Sequence, residues 1–276
     1  MSFLVLVLVV WIEKFSALRH RVQCDAFFRG ELVRLERSGK LHPWSSLAIL
    51  VLAPVALLVM VLHVLEPVAY GLLVLPVHLL VLLYSLGRGD AKAALGPLRD
   101  AWHRGDEQAA LHVAERDLGL HAEGADDLLG QVQHYLAWQV YQGFFAVIFW
   151  YCLLGPAGAL AYRLLALSVA HSRHTALQVR AERLRHLMDW LPVRVLGASF
   201  ALVGHFVAVG RRMLPELLDL HRRASALVAD WALAATDAPA QGALEQGRAR
   251  LNGLWELLLR SAVLWYVVFA LWTILR

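Results

Sequence analysis

Two long apolar runs separated by only two residues constrain this chain more than any other feature. Residues 47–65 contain only Pro54 and His63 outside the apolar set, and residues 68–86 form a second run of the same 19-residue length. A helix needs about 20 apolar residues to cross a hydrocarbon core of about 30 Å. Because Glu66 and Pro67 alone separate the runs, we predict a transmembrane hairpin over residues 47–86.

The composition agrees with a membrane protein and excludes an ordinary soluble domain. Hydrophobic residues make up 59% of the 276 residues, charged residues only 17%, and the mean hydropathy is +0.55, whereas soluble domains average about 25% charged residues. Further apolar runs cover residues 144–161, 195–210 and 257–275. The predicted fold class is therefore an all-α, polytopic integral membrane protein with about five spans and helical cytoplasmic segments, whose first partner is the lipid bilayer.

Charge and hydropathy divide the chain into six predicted segments. Basic residues flank the hairpin, so its outer ends are expected in the cytoplasm, while the topology after residue 143 stays open. Phe15 to Lys40 has the mixture of apolar and basic residues of a helix lying on an anionic membrane surface, the alternative being an ordinary juxtamembrane helix. The segments are 1–46 (a short apolar stretch and this basic amphipathic helix), 47–86 (the hairpin), 87–143 (helical, cytoplasmic), 144–210 (a transmembrane core with a connecting loop), 211–256 (helical, expected in the cytoplasm because of its arginines) and 257–276 (a C-terminal transmembrane helix).

Local signals refine several of these segments. Gly155, Pro156 and Gly158 interrupt the third apolar run and predict a helix break there. The run either crosses once with a kink or folds back as a re-entrant pair, since glycine and proline at membrane depth are tolerated where protein covers the freed backbone groups. Asp106 and Glu107, after Gly105, predict a helix start. The helix over residues 126–142 is expected to run directly into the third apolar block.

Several functional classes lack support in the sequence. The net charge is +4 without a block of like charge, so we predict no nucleic-acid partner. His171 and His174 are spaced for one helix face, but further zinc ligands are missing nearby. The glycines of residues 242–248 have the spacing of a phosphate loop without its lysine and hydroxyl. We therefore predict no metal, no cofactor and no catalytic residue.

Three histidines lie inside apolar runs: His63, His78 and His205. We expect their side chains to form hydrogen bonds between helices rather than to transport ions.

The strongest candidate site consists of Tyr162, Arg163, Asp189, Trp190 and Arg194 at the rims of apolar runs. A charge at a rim costs less than at the bilayer centre but tends to be paired. One interpretation is an ion pair between Asp189 and an arginine. The other is a polar pocket between helices that accepts an anionic or amide-bearing ligand, with the arginines as fork-shaped donors.

The stretch that carries these residues also carries a family resemblance. Its motifs are Gly155-Pro156-Ala157-Gly158, Tyr162-Arg163 and Asp189-Trp190-Leu191-Pro192-Val193-Arg194. With Trp11-Ile12-Glu13 near the start, the chain resembles the AmpE family over nearly its whole length. That resemblance implies a multi-pass protein of the bacterial inner membrane with a role in inducible β-lactamase regulation.

Residues 142–194 also look like a distant relative of the CobD/CbiB membrane proteins of cobalamin biosynthesis. That resemblance implies carboxylates that this chain lacks. The corresponding positions hold other residues here: Gln142, Ala166, Val169 and Arg183-Leu184-Arg185-His186. Because a magnesium site needs oxygen ligands, the departures favour a chain without this ligase chemistry.

Three functions follow as hypotheses. The first is a non-catalytic, AmpE-like regulator that senses or relays an envelope signal or binds a membrane partner. The second is a CobD/CbiB-like, amide-forming membrane enzyme. The third is a scaffold that holds another protein's transmembrane helix through small residues such as Gly197, Ala201 and Gly204, which permit close backbone approach.

Overall fold

The structure is a computed structural model that describes residues 25–38, 42–67, 73–87, 95–236 and 244–275. All regular elements in these ranges are helical, which confirms the predicted all-α class. Short π-helical turns at Ala114–Leu118 and Tyr141–Phe145 supplement the helices. The helices are α1 (Ala26–Ser38), α2 (Pro43–Leu65), α3 (Val74–Ser85), α4 (Gly96–His103), α5 (Glu107–Val113), α6 (Ala125–Val140), α7 (Ala146–His171), α8 (Thr175–Val203), α9 (Phe206–Glu216), α10 (Ala224–Ala235) and α11 (Leu244–Leu275).

Three helical runs in the described ranges are long and apolar enough to cross a bilayer. They are Pro43–Leu65, Ala125–His171 and Ala249–Thr273, and α3 and α10 are shorter apolar helices. The run Ala125–His171 joins α6, a π-helical turn and α7, as expected for a helix that continues into the third apolar block. The predicted start at Asp106 is also confirmed, because its carboxylate accepts a hydrogen bond from the Ala109 N–H at 2.9 Å and so caps α5.

Each apolar run of the predicted hairpin contains a helix, but in the described ranges the second helix has only 12 residues and is not among the runs of spanning length, so the transmembrane hairpin stays a prediction. Helix α2 ends at Leu65, directly before Glu66 and Pro67, and α3 occupies Val74–Ser85; residues 68–72 lie outside the described ranges. Both helices pack against α7. His78 of α3 lies with its Nδ1 at 3.0 Å from the Tyr151 hydroxyl of α7, the helix-to-helix hydrogen bond expected of a span histidine. His63 is exposed on α2.

The chain forms two compact units, and the first contains α1, α2, α3, α7, α8 as far as Asp189 and the end of α11. Phe28 and Leu32 of α1 are buried against leucines of α2, α7 and α8: Leu50, Leu164, Leu167 and Leu177. Phe28 and Leu32 thus face protein, whereas Phe27 is 81% exposed. The membrane-surface helix of residues 15–40, like its juxtamembrane alternative, stays a prediction. An amphipathic pattern identifies an apolar face but not the surface that covers it. Residues 15–24 lie outside the described ranges.

Helix α7 is interrupted at Gly155, whose φ of 68° and ψ of −158° are non-helical, and helix continues on both sides. This backbone region is open almost only to glycine. Pro156 follows it and supplies no N–H for the helical hydrogen bonds. The interruption thus falls within the segment Gly155 to Gly158 that marked a break in the sequence.

Replacing Gly155 with alanine is expected to destabilise the protein by about 1–3 kcal/mol, the usual cost of a residue held in a sparsely populated backbone region. The free energy of unfolding can be measured in mixed micelles by titration with sodium dodecyl sulfate, with helicity followed by circular dichroism. Gly130→Ala in α6 is the matched control, since an added Cβ meets no atom within 4 Å there. Equal stability of the two variants would contradict the strain at Gly155.

The second unit contains α4 to α6, α8 from Trp190 onwards, α9, α10 and α11 as far as Val268. The predicted fourth span, residues 195–210, is not one helix. Helix α8 ends at Val203, and His205 caps the start of α9 by accepting a hydrogen bond from the Ala208 N–H at 3.3 Å. His205 is therefore the N-cap residue of α9, and its place inside a span stays a prediction. The mean hydropathy of a run depends only on its composition, so it does not reveal a helix end that lies within the run.

Candidate functional site

The structure divides the five predicted site residues between the two units. Tyr162 and Arg163 on α7 and Asp189 on α8 belong to the first unit, whereas Trp190 and Arg194 belong to the second. Each group has its own set of contacts. Tyr162, Arg163 and Asp189 make buried polar contacts, whereas Arg194, stacked on Trp190, bonds to the loop that follows α9.

Tyr162 and Asp189 meet in the interior of the first unit. The tyrosine hydroxyl donates to Oδ1 of Asp189 at 2.8 Å, and both residues are buried. Arg185, one helical turn before Asp189, places its Nε 3.7 Å from the other carboxylate oxygen. The ion pair expected for Asp189 thus forms with Arg185, a residue that was not among the predicted site residues.

Arg163 forms a second buried contact from the neighbouring position on α7. Its Nη2 lies 3.5 Å from Oδ2 of Asp25, and the two side chains are only 13% and 0% exposed. Asp25 immediately precedes α1 and was missed as a site residue. The signal in the sequence was a single acid inside a basic stretch that runs from Lys14 to Arg29.

We call these five residues the α7 polar set: Asp25, Tyr162, Arg163, Arg185 and Asp189. Removing two charges from water costs several kcal/mol per ion, so a buried pair adds little net stability, but removing one partner is strongly destabilising. The main effect of the buried pairs in this set is therefore to favour one arrangement of the helices over others. The set links α1, α7 and α8 in one specific register.

Glu36 attaches the other end of α1 to the same helices. Its Oε1 accepts hydrogen bonds from the Ser172 hydroxyl at 2.7 Å and from the N–H groups of Arg173 and His174 at 3.1 and 3.3 Å. These donors belong to the turn between α7 and α8. With Asp25 at its start and Glu36 near its end, α1 is held to the first unit by two carboxylates.

Replacing Tyr162 with phenylalanine is expected to cost about 1.5–3 kcal/mol, because a hydrogen bond to a charged group is lost in a buried place. The loss should appear as a lower free energy of unfolding in the mixed-micelle titration. Tyr135→Phe is the matched control, since no hydrogen bond of the Tyr135 side chain is recorded among the described residues. A Tyr162→Phe protein as stable as this control would contradict the assigned bond.

Arg194 has a backbone role in the second unit. Its guanidinium donates to the carbonyl oxygens of Leu217, Trp190 (2.8 Å) and Asp219 (2.8 Å), and it stacks on the Trp190 ring with 4.4 Å between the guanidinium carbon and the ring centroid. The Arg194 guanidinium, which the sequence suggested as a donor to an anionic ligand, therefore bonds to backbone carbonyls and holds the loop that follows α9. A ligand-binding role for the five predicted residues stays a prediction.

The described residues contain no group of three or more histidine, cysteine, aspartate or glutamate side chains placed to hold a metal ion. The two carboxylates of the α7 polar set each contact an arginine. The chemistry available to this set is thus hydrogen bonding and charge pairing.

The comparisons with known proteins agree with one of the two resemblances. Residues 1–273 match a family described as regulatory signalling modulator protein AmpE. Protein AmpE of Shigella flexneri is 28% identical over 178 residues, which cover 59% of this chain and 61% of that relative, so the match spans about three fifths of the relative's length. No solved structure matches the chain significantly, and the likeness to the cobalamin proteins stays a prediction. Because the family match extends over almost the whole chain, this protein belongs to the AmpE family of regulatory signalling modulator proteins.

Proposed function

We propose that this protein is a multi-pass protein of the bacterial inner membrane that modulates the induction of β-lactamase without catalysing a reaction. Membership of a family of signalling modulators supports the regulatory part. Three helical runs of spanning length support the membrane part. The basic flanks of the hairpin favour the cytoplasm for its outer ends.

The observation that carries the proposal is the burial of the Asp25–Arg163 pair. A pair with a fully buried carboxylate favours one docked position of α1 and penalises intermediate positions, because a separated partner would remain as a buried charge. A modulator needs an element with two discrete states that a signal can bias. In this proposal α1 is that element, docked through Asp25 and Glu36.

The proposal is tested by deleting the gene in a host with an inducible β-lactamase and measuring β-lactamase activity after exposure to several β-lactam inducers. We expect deletion to change the induced activity and a plasmid copy of the wild-type gene to restore it. An unchanged response across all inducers would refute the proposal.

Site variants connect the phenotype to α1. Arg163→Ala should fail to restore the response. Arg34→Ala should restore it, because the Arg34 side chain is 79% exposed and, among the residues that the structure describes, pairs only with Glu31 one turn away on the same helix. Immunoblots of the membrane fraction show whether each variant is present, and Tyr162→Phe provides a milder change in the same set. If the Arg163→Ala protein, present at wild-type abundance, restored the induced β-lactamase activity, the α7 polar set would have no role in regulation.

The two other hypotheses have tests of their own. Rescue of a cobalamin-synthesis mutant by this gene would overturn the non-catalytic proposal. For the scaffold hypothesis, the small residues Gly197 and Gly204 lie against Trp231 and Ala235 of this chain's own α10, so that face of α8 is already covered. A membrane-protein partner stays a prediction, tested by purification in mild detergent.

A further inference from the structure

Helix α9 presents large apolar side chains away from the protein. Phe206, Val207 and Leu214 are 65%, 54% and 68% exposed, and Leu218, in the turn after the helix, is 79% exposed. Val207 and Leu214 are seven residues apart and so share one face of α9, and together with Leu218 in the following turn we call them the apolar stripe. Water-facing surfaces rarely keep contiguous large apolar patches. We therefore expect an apolar neighbour to cover the stripe.

The opposite side of α9 is fixed to the second unit, so the direction of the stripe is set. Val209 is fully buried. Glu216 accepts a hydrogen bond from Trp231 Nε1 at 3.1 Å and pairs with Arg222, which also donates to Asp230 at 3.0 Å. These contacts prevent α9 from rolling its apolar stripe inwards.

The face that carries the stripe is also positively charged, because Arg211 lies four residues after Val207 and three before Leu214, with Arg212 next to it. Arg211 and Arg212 are exposed, and the described part of the chain shows no ion pair for either of them. The nearby acids are engaged elsewhere: Glu216 pairs with Arg222, and Asp219 accepts a hydrogen bond from the His221 N–H at 2.8 Å. That bond also lowers the pKa of Asp219. The two arginines are thus available to an anionic neighbour.

We propose that α9 lies along the membrane surface, with its apolar stripe at the boundary of headgroups and acyl chains and with Arg211 and Arg212 at anionic lipid headgroups. Interfacial helices bury their apolar face about 5–10 Å into this boundary. Long arginine side chains reach from such a depth to the headgroups. Anionic lipid supplies in one neighbour both the apolar contact for the stripe and the negative charge for the arginines.

Other parts of the second unit agree with this placement. The unit contains residues 249–268 of the apolar run Ala249–Thr273, and the exposed Val263 and Val267 of that run offer a bilayer an apolar surface. The break after Val203 separates the apolar residues 206–210 from α8. Those residues then serve as part of a surface helix instead of completing a span.

The test uses the full-length protein with Cys24→Ser and Cys152→Ser, reconstituted into vesicles of phosphatidylcholine and phosphatidylglycerol. A bimane label on Leu214→Cys reports quenching by lipids brominated near the top of their acyl chains and by aqueous iodide. Gln108→Cys, exposed on α5, is the water-facing control, and Val263→Cys on α11 is the bilayer control. Brominated phosphatidylglycerol is compared with brominated phosphatidylcholine, with and without Arg211→Gln and Arg212→Gln.

We expect the label at residue 214 to be quenched by brominated lipid, as at residue 263, and not by iodide. The preference for the anionic lipid should fall by up to about fivefold for each arginine removed, the contribution of one basic side chain near an anionic surface. Quenching by iodide alone would place α9 in water, and quenching by neither agent would place it under protein, such as a second copy; both results overturn the proposal. The proposed headgroup contact would be overturned if the two brominated lipids quenched the label equally and if the arginine substitutions left this quenching unchanged.

Discussion

Replacing Arg163 with alanine is expected to lower the free energy of unfolding by about 3–5 kcal/mol, the largest effect among the single changes considered. The reason is that the carboxylate of Asp25, whose side chain is fully buried, would lose the cation 3.5 Å away. Water cannot replace that cation without opening the contact between α1 and α7. The loss should be visible in the mixed-micelle titration.

A double-mutant cycle separates this pair from a general effect of arginine removal. Asp25→Ala combined with Arg163→Ala should cost less than the sum of the two single changes, because neither charge is left behind. Arg34→Ala should cost at most about 1 kcal/mol, as for other exposed ion pairs. An Arg163→Ala protein no less stable than Arg34→Ala would show that the pair is not buried as described.

Replacing Gly197 with alanine is expected to cost about 1–3 kcal/mol, as overpacking of a filled interior does. The added Cβ would clash with Cε3 of Trp231 and would lie 2.7 Å from Cζ3 of the same ring and 3.1 Å from Sδ of Met213. Trp231 is fully buried, and its Nε1 donates to Glu216, so the ring has little freedom to move. Relief of the clash would displace α10 from α8.

Gly210→Ala is the matched control for this change, since a Cβ there meets nothing within 4 Å. Alanine should be neutral or stabilising by up to about 1 kcal/mol, because glycine weakens helix interiors by that amount. The comparison uses the same titration and thermal denaturation in detergent. If both alanine variants unfold alike, α8 and α10 are not in the close contact described here.

The fold class was predictable because its signals are local. A nearly continuous apolar run of spanning length, as in α2, has the same meaning in any protein, since a single segment in lipid can satisfy its own backbone hydrogen bonds only as a helix. The start of α5 at Asp106 and the break at Gly155 were readable for a similar reason: capping and positive φ depend on one or two side chains. The end of α8 at Val203 was not readable, because it lies within a run of apolar residues.

The candidate site was predictable only in part. Tyr162, Arg163 and Asp189 were identified by their rim positions, but Asp25 and Arg185 were not, and Trp190 and Arg194 proved to serve a different unit. Asp25 is 138 residues from Arg163 along the chain, and no spacing rule connects residues so far apart. The partner of a buried charge depends on which helices meet.

Local patterns in the sequence were enough to predict that this chain is helical and apolar enough for a bilayer, that one helix ends before Glu66 and another starts at Asp106, and to which family the chain belongs. Only the folded chain shows that Phe28 and Leu32 of α1 are covered by protein, that Asp25 pairs with Arg163, and that α10 occupies the small-residue face of α8. The difference lies in the range of the interactions along the chain. Hydropathy, capping and backbone strain act within a few residues, whereas burial and charge pairing depend on distances between residues that only the folded chain brings together.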